Sequence, residues 1–412
     1  MTAGFFLLAC SVSAAASGAD QIATEVQAGQ NELIEKAWKA IDEAYYDPAF
    51  GGVDWDRLGK AYKDSDYHTV AEEHDAIRRM VSELGNPSTR FLTPGQAKAL
   101  LAELDGNLGS GVGLIELLSI DIDEGEGGIT VVTPIADTPA ARSGLKSGDR
   151  VLQVNGVPVT KLDLAALMER LRGPAGSVVE LSLERNGETH VASIEREGLG
   201  PVDAVVSRIL AVEGLELGYL GLRLFTPAAS EELRAEISRM EAAGVDVFLL
   251  DLRNNPGGRL TAVREIAGAF LGEAPLASMT GRDGEKVLTA LGRQLTDRPL
   301  VVLINEGTAS AAEILASALR HHRRAKLIGG RSFGKGLAHG YVALADGSGV
   351  MYTTGRIKTL SGDDLLTQGL APDLMIDFGP HPVVEAEIAA AGPKDVEFAA
   401  AVSEARRLFL AK

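Results

Sequence analysis

The sequence predicts a mixed α/β protein in three parts: a helical N-terminal region, an inserted β-rich module, and a core in which helices cover a sheet. Three observations support this prediction. Apolar residues recur at helical spacing up to about residue 104. Short alternating stretches with dense Gly and Asn-Gly turns follow from about residue 107. Beyond the break at Gly198–Pro201, continuous apolar strands alternate with helical segments, as in a sheet whose central strands are buried.

The N-terminal region, residues 20–104, is predicted to contain three helices. Apolar stripes at helical spacing lie within residues 32–46 and 70–84, and a third helix is expected at 96–104. Asn86 and Pro87 break the chain between the second and third helices.

The β-rich module is predicted to span residues 105–197. Strands are expected at Ile129–Val132 and Val178–Leu183, and short helices near Pro139–Arg142 and Leu164–Leu171. The module is too short to hold more than one small core.

The core is predicted to span residues 198–385, followed by a C-terminal helical segment at 386–412. Its strands and helices alternate, which indicates a helix-covered sheet. The expected strands are Leu217–Leu224, Val247–Leu252, Leu300–Ile304 and Val350–Thr354. The expected helices are Ala228–Ala242, Leu260–Leu271 and Ala311–Leu319, and residues 280–285 are expected to form an exposed hairpin or loop.

Composition excludes several classes of protein. The 412 residues are 45% hydrophobic and carry a formal net charge of −17, so the surface repels nucleic acid and anionic lipid. No apolar run reaches the roughly 18 residues that span a bilayer. The single cysteine, Cys10, excludes an intramolecular disulfide and a thiolate metal cluster. We therefore expect no nucleic-acid partner, no metal and no cofactor.

Residues 1–19 are predicted to be a signal peptide or export segment. The stretch Gly4–Ala16 is short and apolar, and residues 14–16 offer an A-x-A cleavage site. Residues 7–10 loosely resemble a lipobox, which would make Cys10 a lipidated first residue; membrane association is expected only in that case. No Lys or Arg precedes Lys36, unlike a typical signal peptide, and a frayed apolar tail is the alternative.

Ser310 is a candidate nucleophile. It follows the predicted strand Leu300–Ile304 through a short loop and opens the predicted helix Ala311–Leu319. Backbone amides at a helix N-terminus favour negative charge, and an oxyanion forms beside a nucleophilic serine. A simple N-cap serine is the alternative.

The turn after the predicted strand Val247–Leu252 reads RNNPGG at residues 253–258. Gly257 and Gly258 allow backbone amides to approach a ligand closely, so they are candidate oxyanion donors. A tight strand-to-helix turn favours the same glycines and is the alternative.

Lys335 lies between Gly334 and Gly336 and is a candidate general base. A lysine acts as a base only when neutral, so its pKa must be lowered by desolvation, and the apolar neighbours Phe333 and Leu337 suit that requirement. Residues 329–336 do not match the phosphate-binding pattern GxxxxGK[ST] and precede a strand rather than a helix, which disfavours a nucleotide site. A solvated loop lysine is the alternative.

Five segments together resemble the carboxyl-terminal processing peptidases, also called tail-specific proteases. They read ITVVTPIADTPAARSGLKSGDRVLQVNG at 129–156, DLRNNPGG at 251–258, NEGTASAAEI at 305–314, RSFGKG at 331–336 and QGLAPDLMI at 368–376. The resemblance covers about residues 33–378, and its N-terminal part looks most like the branch that includes cyanobacterial and plastid members. It implies a serine protease core with an inserted PDZ domain at 105–197.

The resemblance implies a role for each candidate residue. Ser310 would be the nucleophile and Lys335 its general base, a known variant of the serine protease constellation. The implied oxyanion hole consists of the amides of Gly257 or Gly258 and of Ala311.

His339 occupies the position where the family usually has a glutamine that orients the lysine amine. We expect neutral His339 to accept a hydrogen bond from Lys335. An unperturbed histidine is protonated near pH ~6.5, which would add an acidic limb to the pH profile of activity. Residues 320–324, RHHRR, also depart from the family by replacing an acidic turn.

A short loop resembles the carboxylate-binding loop of PDZ domains. It consists of Gly111, Val112, Gly113 and Leu114, with supporting segments at 140–149 and 154–156. Its backbone amides would bind a substrate's C-terminal carboxylate while the peptide adds a strand to the sheet edge. A glycine-rich hairpin is the alternative.

These expectations combine into an exported serine endopeptidase that binds protein C-termini through a PDZ domain and cleaves nearby. The periplasm or a compartment like the thylakoid lumen is its expected location. Its expected partners are protein substrates with exposed C-termini, and an adaptor protein is a further candidate partner. The alternatives are a non-catalytic peptide-binding protein on the same scaffold and a crotonase-like acyl-transfer enzyme, against which the PDZ resemblance counts.

Overall fold

The computed structural model describes residues 31–113, 120–123, 128–131, 134–135, 138–162, 164–362, 365–376 and 395–411. Several sequence-based expectations lie outside these residues: the export segment, Cys10, the loop residue Leu114 and the start of the C-terminal segment at 386–394. None of the described helices is both long and apolar enough to cross a membrane.

The N-terminal region folds as helices around a small core of its own. Three of its helices begin at side chains that accept a backbone amide, namely Asp54, Thr69 and Thr93. Fully buried Ile34, Ile41, Ile77 and Met80 hold the helices together. The elements are α1 (Glu32–Ala44), α2 (Trp55–Lys63), α3 (Val70–Ser82), β1 (Arg90–Leu92) and α4 (Pro94–Leu104).

The inserted module is a β-rich unit with its own core. Its main sheet has the order β3-β4-β5-β7-β8, with β6 paired to β5, and α6 packs on it through Leu167 and Leu171. The strands are β2 (Ser110–Gly111), β3 (Ile120–Asp123), β4 (Gly128–Val131), β5 (Arg150–Val154), β6 (Val157–Pro158), β7 (Val178–Arg185), β8 (Glu188–Glu195) and β9 (Glu197–Gly198). The helices are α5 (Pro139–Arg142) and α6 (Leu164–Leu171).

The two linkers that join this module to the rest of the chain run side by side. β2 pairs with β9, and Asn107 bridges Pro201 in antiparallel fashion. Backbone hydrogen bonds join Leu199 N to Gly109 O (2.7 Å) and Val202 N to Gly106 O (2.8 Å). The module is therefore an insertion whose two ends meet.

The core contains a six-stranded sheet of order β10-β11-β12-β15-β16-β19, parallel except for β10. Every residue of β12 and β15 is buried, as their continuous apolar runs predict. One face packs on α7, α8 and α9, and the other on the C-terminal helix α11. The elements are β10 (Val205–Val212), β11 (Leu215–Leu222), α7 (Pro227–Ala243), β12 (Val247–Asp251), α8 (Leu260–Leu271), β15 (Leu300–Ile304), α9 (Ala311–His321), β16 (Lys326–Gly329), β19 (Leu374–Met375) and α11 (Val396–Leu410).

A second core sheet contains five strands and includes one from the N-terminal region. Its order is β1-β18-β13-β14, with β17 on the other edge of β18, and Arg90 of β1 lies opposite Met351. The sequence predicted only helices for residues 20–104 and a single core sheet, so both β1 and this second sheet are additions. The remaining elements are β13 (Pro275–Gly281), β14 (Gly284–Thr289), β17 (Leu337–Ala343), β18 (Gly349–Thr359) and α10 (Leu365–Gln368).

The order of the parallel strands determines where the site forms. β12 and β15 are neighbours, so the loops at their carboxyl ends meet at one edge of the sheet. In open α/β sheets, ligands bind at such an edge. The loops are 252–259 and 305–310, the two that carry the candidate glycines and serine.

Candidate active site

Ser310 lies at the sharp turn between the loop after β15 and helix α9. Its backbone has φ 55° and ψ −118°, a conformation that non-glycine residues rarely adopt. Such strain costs about 1–3 kcal/mol and concentrates at functional sites. The residue is 8% exposed and opens the helix whose first free amide belongs to Ala311. A strained strand-to-helix turn of this kind presents the nucleophilic serine of α/β-hydrolases.

Glu313 joins the serine loop to the lysine loop. Its carboxylate is fully buried and accepts hydrogen bonds from the amides of Ser310 and Lys335, both at 2.8 Å and both to Oε2. The other oxygen accepts from the amide of Gly334 (2.8 Å) and from the hydroxyl of Ser332. The amide nitrogens of Ser310 and Lys335 are therefore at most twice 2.8 Å apart.

The charge state of Glu313 reflects two opposing effects. Burial raises the pKa of the Glu313 carboxyl, while hydrogen bonds from Ser332, Lys335, Ser310 and Gly334 lower it. The sequence reasoning missed this residue. The spacing Ser-x-x-Glu, typical of a helix capping box, was the signal that could have identified it.

Lys335 is buried, with 8% of its surface exposed, on the loop that leads into β17. Close packing requires glycine on both sides of it, and at Gly334 the backbone, with φ 96°, requires glycine as well. A Cβ atom on Gly334 would lie 2.8 Å from the carbonyl oxygen of Leu365, and one on Gly336 would lie 2.9 Å from the amide of Leu366. The short helix α10 thus presses against the lysine loop and helps to exclude water.

Loop 252–259 packs directly against the serine. A Cβ atom on Gly257 (φ 105°) would lie 2.7 Å from Cβ of Ser310 and 3.0 Å from the amide nitrogen of Ala311. The Gly257 amide donates to Oδ1 of Asn255 at 2.8 Å, so it is already engaged. The Gly258 amide has no acceptor among the residues that the structure describes. Of the two glycines, Gly258 therefore has the amide available to a ligand.

Asparagine side chains fix the two loops to each other. The amide of Asn254 donates to Oδ1 of Asn305 at 2.8 Å, and Nδ2 of Asn305 donates to Oδ1 of Asn254 at 3.0 Å. The amide of Ala309 donates to the carbonyl of Asn255 at 2.9 Å. These bonds hold the strained serine turn against the Pro-Gly-Gly turn, which gives the rigid support a reactive site needs.

His339 lies on β17 opposite Thr353, close enough to Lys335 for the lysine charge to affect it. Burial, followed by the charges of Lys335 and Arg90, lowers the pKa of His339 to about 3. The expected acidic limb near pH ~6.5 is therefore wrong for the folded protein, because His339 stays neutral far below that pH. Its Nε2 atom is buried and has no hydrogen-bond partner in the described part of the chain, so the expected hydrogen bond from Lys335 is not formed at this atom.

Arg253 anchors loop 252–259 through buried ion pairs. Its fully buried guanidinium contacts the carboxylates of Asp251 (2.7 Å), Asp395 (3.0 Å) and Glu397 (2.9 Å). Burial alone would lower the pKa of Arg253, but the three carboxylates raise it well above its usual value. Asp395 and Glu397 belong to the C-terminal segment, so helix α11 contributes to the support of this loop. The sequence reasoning did not identify the network, and no local pattern signals it.

The candidate carboxylate loop lies in the module at the end of β2. Gly111 pairs with Glu197 and bridges Arg172, and a Cβ atom on Gly113 (φ 86°) would lie 2.1 Å from the side chain of Thr138. Only glycine therefore fits at position 113. A small pocket is lined by Gly111, Val112 and Gly113, together with Leu171 and Arg172.

Nothing in the described part of the chain is arranged to hold a metal ion through three or more His, Cys, Asp or Glu side chains. His322 Nε2 lies 2.8 Å from the carbonyl of Pro275, and His321 lies near the hydroxyl of Ser361. The site instead combines a strained serine, a buried lysine and two backbone amides. That arrangement can attack a carbonyl, accept a proton and stabilise an oxyanion.

Three sections of the chain match known domain families. Residues 216–376 match Peptidase family S41, 130–185 match the PDZ domain, and 31–64 match the Tricorn protease C1 domain. The PDZ match falls inside the predicted module.

Curated proteins with similar sequences share one kind of name. A carboxyl-terminal-processing protease of Synechocystis is 34% identical over 90% of this chain and 86% of its own. The chloroplastic C-terminal processing peptidase of Tetradesmus obliquus is 35% identical over 84% of this chain and 77% of its own. Carboxy-terminal processing protease CtpA of Bacillus subtilis is 30% identical over 82% and 72%.

A solved structure has the same fold. The photosystem II D1 C-terminal processing protease superposes with a TM-score of 0.72 and 34% identity, covering 84% of this chain and 93% of the other. This agreement confirms the predicted mixed α/β architecture with N-terminal helices, an inserted sheet-rich module and a helix-covered core.

Proposed function

This chain belongs to peptidase family S41, among the carboxyl-terminal processing proteases, and we propose that it is an exported serine endopeptidase with a Ser310–Lys335 dyad. The observation that carries the dyad is the shared carboxylate of Glu313, which binds the backbone amides of both residues. The export proposal rests on the apolar residues 4–16 and on the chloroplastic names of several relatives.

The proposed reaction begins when neutral Lys335 accepts the hydroxyl proton of Ser310 and the serine oxygen attacks the scissile carbonyl. The oxyanion would bind the amides of Gly258 and Ala311, because the Gly258 amide has no acceptor among the described residues and Ala311 opens the helix that follows Ser310. Lys335 then returns the proton to the departing amine, and an acyl-enzyme forms. Water, deprotonated by the same lysine, hydrolyses the ester and regenerates Ser310.

His339 is proposed to orient the lysine amine as a neutral acceptor. Its buried Nε2 has no hydrogen-bond partner among the described residues. The pKa of about 3 keeps the His339 ring neutral through the physiological range. A neutral imidazole nitrogen and a glutamine carbonyl oxygen can each accept a hydrogen bond from the amine, so the replacement preserves this role.

The inserted PDZ domain is proposed to bind the C-terminus of a protein substrate. Backbone amides at Gly111–Gly113 suit a carboxylate, and charge-assisted hydrogen bonds of this kind are stronger than neutral ones. The substrates would be proteins with an exposed C-terminus, cut a short distance upstream.

The dyad is tested by cleavage of an unfolded protein with an apolar C-terminus. We expect Ser310→Ala and Lys335→Ala each to abolish turnover and the double variant to be no worse, because the pair acts as one unit. Ser317→Ala, on the same helix, and Lys326→Ala, on the exposed end of β16, are matched controls that should keep it.

Two results would contradict the proposal. Near-normal turnover by Lys335→Ala would mean that another group is the base. Binding of the substrate without cleavage by the wild-type chain would support the alternative of a peptide-binding protein.

A further inference from the structure

The pocket beside the candidate carboxylate-binding loop is lined by an arginine, Arg172, and by the glutamate that binds its guanidinium. Arg172 directly follows helix α6, and its backbone bridges Gly111. A Cβ atom on Gly111 would lie 3.5 Å from Cα of Arg172, so the loop and the arginine are in contact. A guanidinium beside a glycine loop offers two kinds of donor to one carboxylate, which is a favourable arrangement for binding a chain terminus.

A carboxylate from outside the PDZ domain already binds this guanidinium. Glu103 comes from the last turn of α4, in the N-terminal region, and its Oε1 lies 2.6 Å from Nη2 of Arg172. The Glu103 side chain is only 4% exposed, whereas that of Arg172 is 26% exposed. Glu103 also forms part of the pocket wall, together with Gly111 and Gly113.

We propose that Glu103 is an internal competitor for the substrate's C-terminal carboxylate, and that Arg172 is the side chain for which they compete. This inference rests on the proposed reading of C-termini by the PDZ domain. The exchange replaces one carboxylate with another, so the arginine keeps a counter-charge throughout. Substrates with a free terminus displace Glu103, and ligands without that charge cannot.

The competition has a structural consequence. α4 and α6 are joined by the Glu103–Arg172 pair, with a second contact from Gln96 to Glu169 at 3.3 Å. Displacement of Glu103 breaks the ion pair and leaves the hydrogen bond between Gln96 and Glu169 as the remaining one of these two contacts. Binding of a terminus therefore loosens the attachment of the domain to α4.

The test measures peptide binding to the full chain carrying Ser310→Ala, which prevents cleavage. The probes are one labelled peptide with an apolar, free C-terminus and its C-terminally amidated twin. Glu103→Gln removes the competing charge but keeps the shape, and we expect it to tighten binding of the free peptide roughly fivefold to thirtyfold. The amidated peptide should show no gain.

Two further variants complete the design. Glu169→Gln is the matched control, because it alters the neighbouring α4–α6 contact without touching Arg172, and it should leave both affinities unchanged. Arg172→Met should weaken binding of the free peptide and abolish the gain from Glu103→Gln in the double variant. If Glu103→Gln does not fold, Glu103→Asp supplies the same comparison, since the shorter carboxylate reaches Arg172 less well.

The outcomes separate this inference from the proposed function. A wild-type chain that binds free and amidated peptides equally overturns the reading of the terminus itself. A wild-type preference for the free peptide that Glu103→Gln leaves unchanged, or an equal gain for both peptides, overturns only the competition.

Discussion

Glu313 connects loops that are 22 residues apart in the chain, and its replacement should separate catalysis from substrate binding. In Glu313→Gln an amide group faces backbone donors, so at least one buried hydrogen bond is lost. We expect a loss of about 1–3 kcal/mol in unfolding free energy and a fall of at least roughly tenfold in kcat, with KM little changed. Steady-state kinetics and urea unfolding measure both effects.

Glu231→Gln, on the exposed surface of α7, is the control and should behave as the wild type. Lowered stability with a normal kcat would mean that Glu313 only holds the fold and does not position the dyad.

Protonation of His339 should lower stability below neutral pH, and replacing His339 with glutamine should leave activity almost unchanged. Its pKa is near 6.5 in the unfolded chain and about 3 in the folded one. Between these values only the unfolded state binds the proton, so stability is fully present above pH 6.5 and is lost as the pH falls. From pH 7 to pH 5 we expect the wild type to lose about 2 kcal/mol more than His339→Gln.

Urea unfolding at the two pH values tests this prediction. The comparison uses the change in unfolding free energy of each protein between the two pH values and does not depend on its absolute stability. The pH profiles of activity of the two proteins should coincide down to about pH 5. An acidic limb near pH 6.5 that disappears in His339→Gln would mean that the histidine is accessible to protons in the working enzyme.

Sequence reasoning located the candidate residues of the site but not their support. Ser310, Lys335 and the two glycines follow strand ends or flank a glycine loop, and local pattern is enough to indicate them. The choice of Gly258 over Gly257 depends on the Asn255 side chain, which accepts a hydrogen bond from the Gly257 amide. The low pKa of His339 depends on burial and on Arg90, which arrives on a strand from another region. Such information is not local in the sequence.

Helix α11 supports the candidate site although it lies far from it in the sequence. Its Glu397 and the preceding Asp395 bind Arg253 at the base of the loop that carries the glycines proposed for the oxyanion hole. We expect Glu397→Ala to destabilise the protein by about 2–4 kcal/mol, since it removes one partner of a buried charge. We also expect kcat to fall, because the loop loses an anchor.

Glu404→Ala, which breaks an exposed pair with Arg407 on the same helix, is the control and should change stability by less than about 1 kcal/mol. Thermal unfolding and measurement of kcat for both variants test this prediction. Equal effects of the two substitutions would show that the helix acts only as a cover for the sheet.

Elements with a strong local pattern were predicted closely, and elements that depend on pairing with a distant strand were missed. β15 has the predicted bounds and α8 likewise, because both are continuous and strongly patterned. β1 is three residues long and exists only because β18 pairs with it. The division of the core into two sheets likewise depends on which distant strands pair. The spacing of apolar residues along one strand or helix does not contain that information.

For the molecule as a whole, the paired linkers predict that the PDZ domain can be removed cleanly. Asn107 and Pro201 face each other, so replacing residues 108–200 with Asn-Gly should close the gap with a two-residue turn. We expect a folded core that no longer binds a free C-terminus, cleaves unfolded proteins poorly and still cleaves a short peptide. Circular dichroism and the two cleavage assays measure this.

The domain also touches the site, since Ser147 Oγ lies 3.5 Å from Oδ1 of Asn254. Faster cleavage of unfolded proteins after the deletion would therefore mean that the domain blocks the site instead of delivering substrate to it.

Contacts between parts of the chain that are far apart in sequence set the order in which this enzyme is completed. Thr353 donates its amide to Thr89, 264 residues earlier, and Arg253 reaches Glu397, 144 residues later. Domains that form early during synthesis need only residues already made, and distant pairings form late. The PDZ domain can fold while translation continues, but the proteolytic centre must wait until helix α11 has been made. A ribosome-bound chain that lacks this helix is therefore expected to be proteolytically inactive toward its surroundings and toward itself.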